Sequence, residues 1–109
     1  MPDPRIWPIE NVTDTFATVT WVSAVALVAN PNRADTDFIN DSDCINDSDC
    51  IIYLARGNAA VVGSGIRLNP NGGSYHIGTN NLFHGAIYAI SSGGEQDECN
   101  LSISEGNKP

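Results

Sequence analysis

The residues in this chain that could do chemistry are an acidic duplicated hexapeptide, three cysteines, two histidines and a glycine-flanked serine. Ile39-Asn40-Asp41-Ser42-Asp43-Cys44 is followed at once by Ile45-Asn46-Asp47-Ser48-Asp49-Cys50. Its four aspartates offer hard oxygen ligands at short spacing, the raw material of a calcium loop. A calcium loop of the EF-hand type also needs a glycine at its sharp turn and a terminal bidentate glutamate. The tract contains neither, so it is expected to be a solvated hairpin tip. Zinc is disfavoured in the same way: Cys44, Cys50, Cys99, His76 and His84 show no Cys-x-x-Cys or His-x-x-x-His spacing. Ser64 lies between Gly63 and Gly65, but the full nucleophile-elbow pattern and its strand–turn–helix setting are absent. His76 and His84 have no carboxylate near them in sequence and are not expected to form an acid–base pair. Gly72-Gly73 is a turn and not a phosphate cradle, because no helix follows it. No catalytic, cofactor-binding or metal-ligating residue is assigned, and the chain is not expected to be an enzyme.

An odd number of cysteines, without a leader, argues for thiols over a disulfide framework. Cys44 and Cys50 could bridge across a tight hairpin. On a single extended strand they would stand about 20 Å apart, beyond any disulfide. The start, Met1-Pro2-Asp3-Pro4-Arg5, lacks the basic and apolar regions of a signal peptide, so synthesis in a cytoplasm is expected. The four Asn-x-Ser/Thr sequons at Asn11, Asn40, Asn46 and Asn100 then carry no weight for glycosylation. No long apolar run suggests a membrane-spanning helix. Five basic residues against thirteen acidic give a net charge of −8, which repels a phosphate backbone and disfavours nucleic-acid binding.

At 109 residues the chain is one domain, able to bury roughly two-thirds of its unfolded surface. Residues 1–14 hold Pro2, Pro4 and Pro8 around Trp7 and Ile9 and are expected to form an extended arm, with 15–109 as the folded domain. From Thr15 to Ala29 the alternation of Val19, Trp21, Val25 and Leu27 with polar or small residues predicts two strands, broken near Ser23-Ala24. Further strands are predicted at Asp35–Asn40, Ile51–Ala55, Gly65–Leu68, Ser74–Ile77, Gly85–Ile90 and Asn100–Ser104. Asn69-Pro70-Asn71-Gly72-Gly73 is the strongest turn. Because six is even, the duplicated hexapeptide leaves the inward phase of Ile52 and Leu54 unchanged. The expected fold is all-β, an antiparallel sandwich or jelly-roll-like barrel of seven to eight short strands.

In order along the chain stand Ala29-Asn30-Pro31-Asn32-Arg33, Asn40-Asp41-Ser42-Asp43, Ile52-Tyr53-Leu54-Ala55-Arg56-Gly57 and Gly65-Ile66-Arg67-Leu68. They are followed by Pro70-Asn71-Gly72-Gly73-Ser74, Gly85-Ala86-Ile87-Tyr88-Ala89-Ile90 and a last strand ending at Glu105. This ordered set resembles a family of small all-β structural domains of tailed-bacteriophage virions. The resemblance implies a virion component without enzymatic activity or cofactor, and suggests a capsid decoration (cement) protein. Its partners would then be the major capsid protein and neighbouring virion subunits, and self-association into a homo-oligomer is compatible with that role. The alternative expectation is a tail or fibre module that binds a host-surface glycan or receptor. For either role the expected contact residues are Trp7 and Ile9 in the arm, and Asn71, Asn80, Asn81 and Phe83 in loops.

Overall fold

The computed structural model describes residues 11–42, 50–93 and 98–108. Within them the chain forms eight strands: β1 (Asn11–Val19), β2 (Ala24–Leu27), β3 (Arg33–Asn40), β4 (Ile52–Arg56), β5 (Ile66–Leu68), β6 (Gly73–Ile77), β7 (Ile87–Ser91) and β8 (Cys99–Asn107). A single 3₁₀ turn, Thr79–Asn81, is the only helical element among the described residues. No helix there is long and apolar enough to cross a membrane.

The strands make two antiparallel sheets, ordered β1-β8-β3-β6 and β2-β7-β4-β5. Partners nest as β1 with β8, β2 with β7, β3 with β6 and β4 with β5, as though one long hairpin had been rolled on itself. That nesting is the jelly-roll arrangement. Both sheets keep open edges, so the molecule is a sandwich and not a closed barrel.

Two consequences correct the sequence expectations. Of all the connections, only β4 to β5 stays within one sheet. The segment carrying the hexapeptide repeat joins β3 to β4 and therefore crosses between sheets, which a hairpin tip does not do. Most of the repeat, residues 43–49, lies outside the described residues. Further, β1 begins at Asn11, so Asn11–Asp14, assigned above to the arm, belong to the sheet. Trp7 and Ile9 lie outside the described residues.

The core follows from alternation. In β8 Cys99, Leu101 and Ile103 point inward while Asn100, Ser102 and Ser104, alternating with them, take the outer face. Ile52 and Leu54 of β4, with Ile87 and Ala89 of β7, close the opposite layer, and Phe38 of β3 is fully buried between them. Each buried leucine, isoleucine or phenylalanine among them contributes about 1.5–3 kcal/mol on leaving water. Trp21 departs from the alternation expected of it. It sits in a bend between β1 and β2 and is 50% exposed. Cys50 is also buried and is disulfide-bonded, contrary to the expectation of thiols.

Candidate functional site

The sandwich is held at its two ends by polar side chains of the same strand. Arg33 opens β3 and is fully buried. Its Nε donates to Glu105 Oε2 on β8 at 2.6 Å. One terminal nitrogen donates to the carbonyls of Phe83 (2.7 Å) and Gly85 (3.0 Å), and the other to the carbonyl of Val28 (2.7 Å). The guanidinium thus ties β3 to β8, to the segment after β2 and to the segment before β7. A buried cation is tolerated only when its charge is paired and its donors are used, and here both hold. Asn40 closes β3 and is likewise fully buried. Its Nδ2 donates to the carbonyls of Cys50 (2.7 Å) and Leu68 (2.9 Å) in the other layer, and its Oδ1 accepts from Ser42 N–H (3.2 Å).

These two ends separate the contact residues expected from sequence. Asn71 donates from its backbone to the Ser42 carbonyl, beside Asn40, and takes the left-handed conformation (φ 62°) in its turn. Phe83 lies at the Arg33 end. The seven-residue rise of β3 between those ends spans about 23 Å, so Asn71 does not share a surface with Phe83. Asn80 and Asn81 belong with Phe83. Asn80 is exposed, but the Asn81 amide is already committed: it accepts from Gly78 N–H and donates to the His76 carbonyl and the Tyr75 hydroxyl. Phe83 is half-buried and packed against the core instead of standing out as a platform.

A different surface gathers functional groups. On the outer face of the β1-β8-β3-β6 sheet, Asp14, Ser104, Asp37 and His76 stand opposite one another in one row across all four strands. Ser104 Oγ donates to Asp14 Oδ1 at 2.6 Å, and His76 Nδ1 lies 2.6 Å from Asp37 Oδ1. The adjoining row is Phe16, Ser102, Ile39 and Ser74. Small serines on central β8, between taller residues on β1 and β3, leave an open depression of ≈ 240 Å³ lined by Asp14, Asp37, Ile39, Ser102 and Ser104. It offers hydrogen-bond acceptors, two hydroxyls and an apolar rim. It does not align a nucleophile with a base, because Ser104 is turned to Asp14 while His76 is on the far side of Asp37. His84 is engaged elsewhere, with Nε2 3.1 Å from the Arg33 carbonyl. Among the described residues no group of three His, Cys, Asp or Glu is placed to hold a metal ion.

The second notable surface is apolar. Val12 and Phe16 project from β1 and are exposed, Phe16 by 71%. Trp21 and Val22 follow in the β1–β2 bend, with Val25 and Val28 beyond them, all exposed. Ser23 Oγ accepts from Ala60 N–H at 2.8 Å, which brings the β4–β5 connection, with exposed Val61 and Val62, beside Trp21 and Val22. Exposed apolar side chains gathered in neighbouring segments are candidates for a contact region.

Sequence reasoning singled out neither Arg33 nor the polar row. The alternation within β8 could have shown Ser102 and Ser104 on an outward face, but their neighbours are set by pairing between strands remote in sequence. No family model, curated protein or solved structure matches the chain.

Proposed function

We propose that this chain is a non-enzymatic virion structural protein, a capsid decoration (cement) protein that bridges neighbouring capsid subunits. The observation that carries the proposal is the set of exposed apolar side chains on β1, in the Trp21–Val22 bend and at Val61–Val62, on a sandwich whose layers are fastened at both ends. A rigid body with an adhesive side holds subunits together by burial alone, at about 25 cal/mol per Å² of apolar area. The ordered resemblance to virion domains supports the same role, and the net charge of −8 keeps the free protein soluble before attachment. The arm residues Trp7 and Ile9 would add an anchor.

The test is to add purified protein to particles that lack it, count bound copies, and record the temperature of genome release. Saturation at hundreds of copies with a raised release temperature is expected. Binding restricted to a few copies at one vertex would place the protein in the tail.

A second reading is favoured by the polar depression. A tail or fibre module would bind a host glycan there, with the Asp14 and Asp37 carboxylates accepting from sugar hydroxyls and Phe16 beside them. Nuclear magnetic resonance titration with glycans distinguishes the two. Saturable shifts confined to Asp14, Asp37, Ser102 and Ser104 would favour the module over the cement protein.

A further inference from the structure

We infer that β1 is a pairing edge for a second copy of this chain, joining two β1-β8-β3-β6 sheets into one through antiparallel β1–β1 contact. The sandwich has four edge strands, and three are blunted. β2 has four residues and a register break between Val25 and Leu27, β5 has three residues, and β6 has five and starts in a Pro/Gly turn. Short length, bulges and flanking proline are the devices by which edges avoid pairing. β1 has none of them. It runs nine residues in unbroken register with β8, contains no proline, lysine or arginine, and carries one charge, Asp14. Its side chains from Asn11 to Phe16 are exposed on both faces.

An open row of alternating N–H and C=O groups is complementary to another strand, and the composition of β1 selects itself as that strand. Full overlap of a nine-residue strand with its own antiparallel copy places Thr15 on the two-fold axis. The same register sets Asp14 opposite Phe16 and Val12 opposite Thr18, so the two Asp14 carboxylates are not directly opposed. Shifting the axis to Asp14 would oppose them, which is destabilising. Overlap and charge therefore choose one register, and the interface is isologous and closed. This pairing goes beyond the proposed virion role and is tested on purified protein alone, so either can fail without the other.

The experiment is sedimentation velocity over a concentration series on the full chain, with the variants Thr15→Asp and Thr15→Lys. Thr15 is exposed on the edge strand, so circular dichroism and thermal unfolding should match the wild type for both. The wild type is expected to dimerise. Each variant alone should associate at least roughly tenfold more weakly, because like charges meet across the axis. An equimolar mixture should restore dimers as Asp–Lys heterodimers, an outcome that general surface stickiness does not produce. A wild type that stays monomeric throughout overturns the inference, and so does a mixture no better than either variant alone. Should a variant unfold, slowing of β1 amide hydrogen exchange with wild-type concentration supports the inference, and no change overturns it.

Discussion

Arg33 Nε and Glu105 Oε2 stand 2.6 Å apart, the arginine side chain wholly out of solvent and the glutamate side chain 14% exposed. The two residues are seventy-two positions apart in sequence and sit on adjacent strands at the same end of the sandwich. Replacing Arg33 by methionine leaves the carboxylate and the carbonyls of Val28, Phe83 and Gly85 without their donor. Breaking one side of a buried ion pair costs about 3–5 kcal/mol. Urea unfolding should show a loss of that size for Arg33→Met. A loss under about 1 kcal/mol would mean that water replaces the guanidinium at little cost.

At the other end, Asn40→Ala removes both donors that reach across to Cys50 and Leu68. A stability loss of about 1–3 kcal/mol is expected from orphaned buried acceptors. Asn40→Asp should be worse than alanine, since a carboxylate facing two carbonyls cannot donate to either. An aspartate variant as stable as the wild type would show that the amide does not fasten the layers.

Gly63 and Gly65 share a left-handed backbone, φ 87° and 86°, but not the same surroundings. A Cβ on Gly63 meets nothing within 4 Å, whereas on Gly65 it would lie 2.6 Å from the Leu54 carbonyl oxygen. Gly63→Ala should therefore cost only the conformational penalty of about 1–2 kcal/mol. Gly65→Ala should cost more, because the β4 backbone must also move. Equal denaturation midpoints for the two variants would contradict this packing.

Removing residues 1–10 keeps every residue of the eight described strands. The truncated domain should keep its melting temperature and attach to particles more weakly, by ~2 kcal/mol or more if Trp7 is a buried anchor. Normal attachment with a melting temperature several degrees lower would instead make the arm a cover for its own domain and leave attachment to the sandwich surface.

Much was legible in the chain itself. Strand identity is legible as period-two alternation, used above for Thr15–Ala29 and present also in β8, where Cys99, Leu101 and Ile103 alternate with Asn100, Ser102 and Ser104, because a strand's side chains point to opposite faces in turn. Turns came from residues that adopt unusual backbone angles, as at Pro70-Asn71-Gly72. What the sequence could not decide was which strand lies beside which. Nothing local in β1 names β8 as its partner, and that non-local choice is what lines up Asp14, Ser104, Asp37 and His76. Arg33 shows the same limit at one residue. Counting back by twos from outward Ile39, Asp37 and Asp35 puts Arg33 on the solvent face, yet it is buried. The β3–β8 register slips between Arg33 and Asp35, and that bulge turns the arginine inward, where three carbonyls from two separate segments and one carboxylate converge on it. Alternation is a property of the strand alone, whereas a bulge and the ligands of a buried cation exist only once the sheets have been assembled.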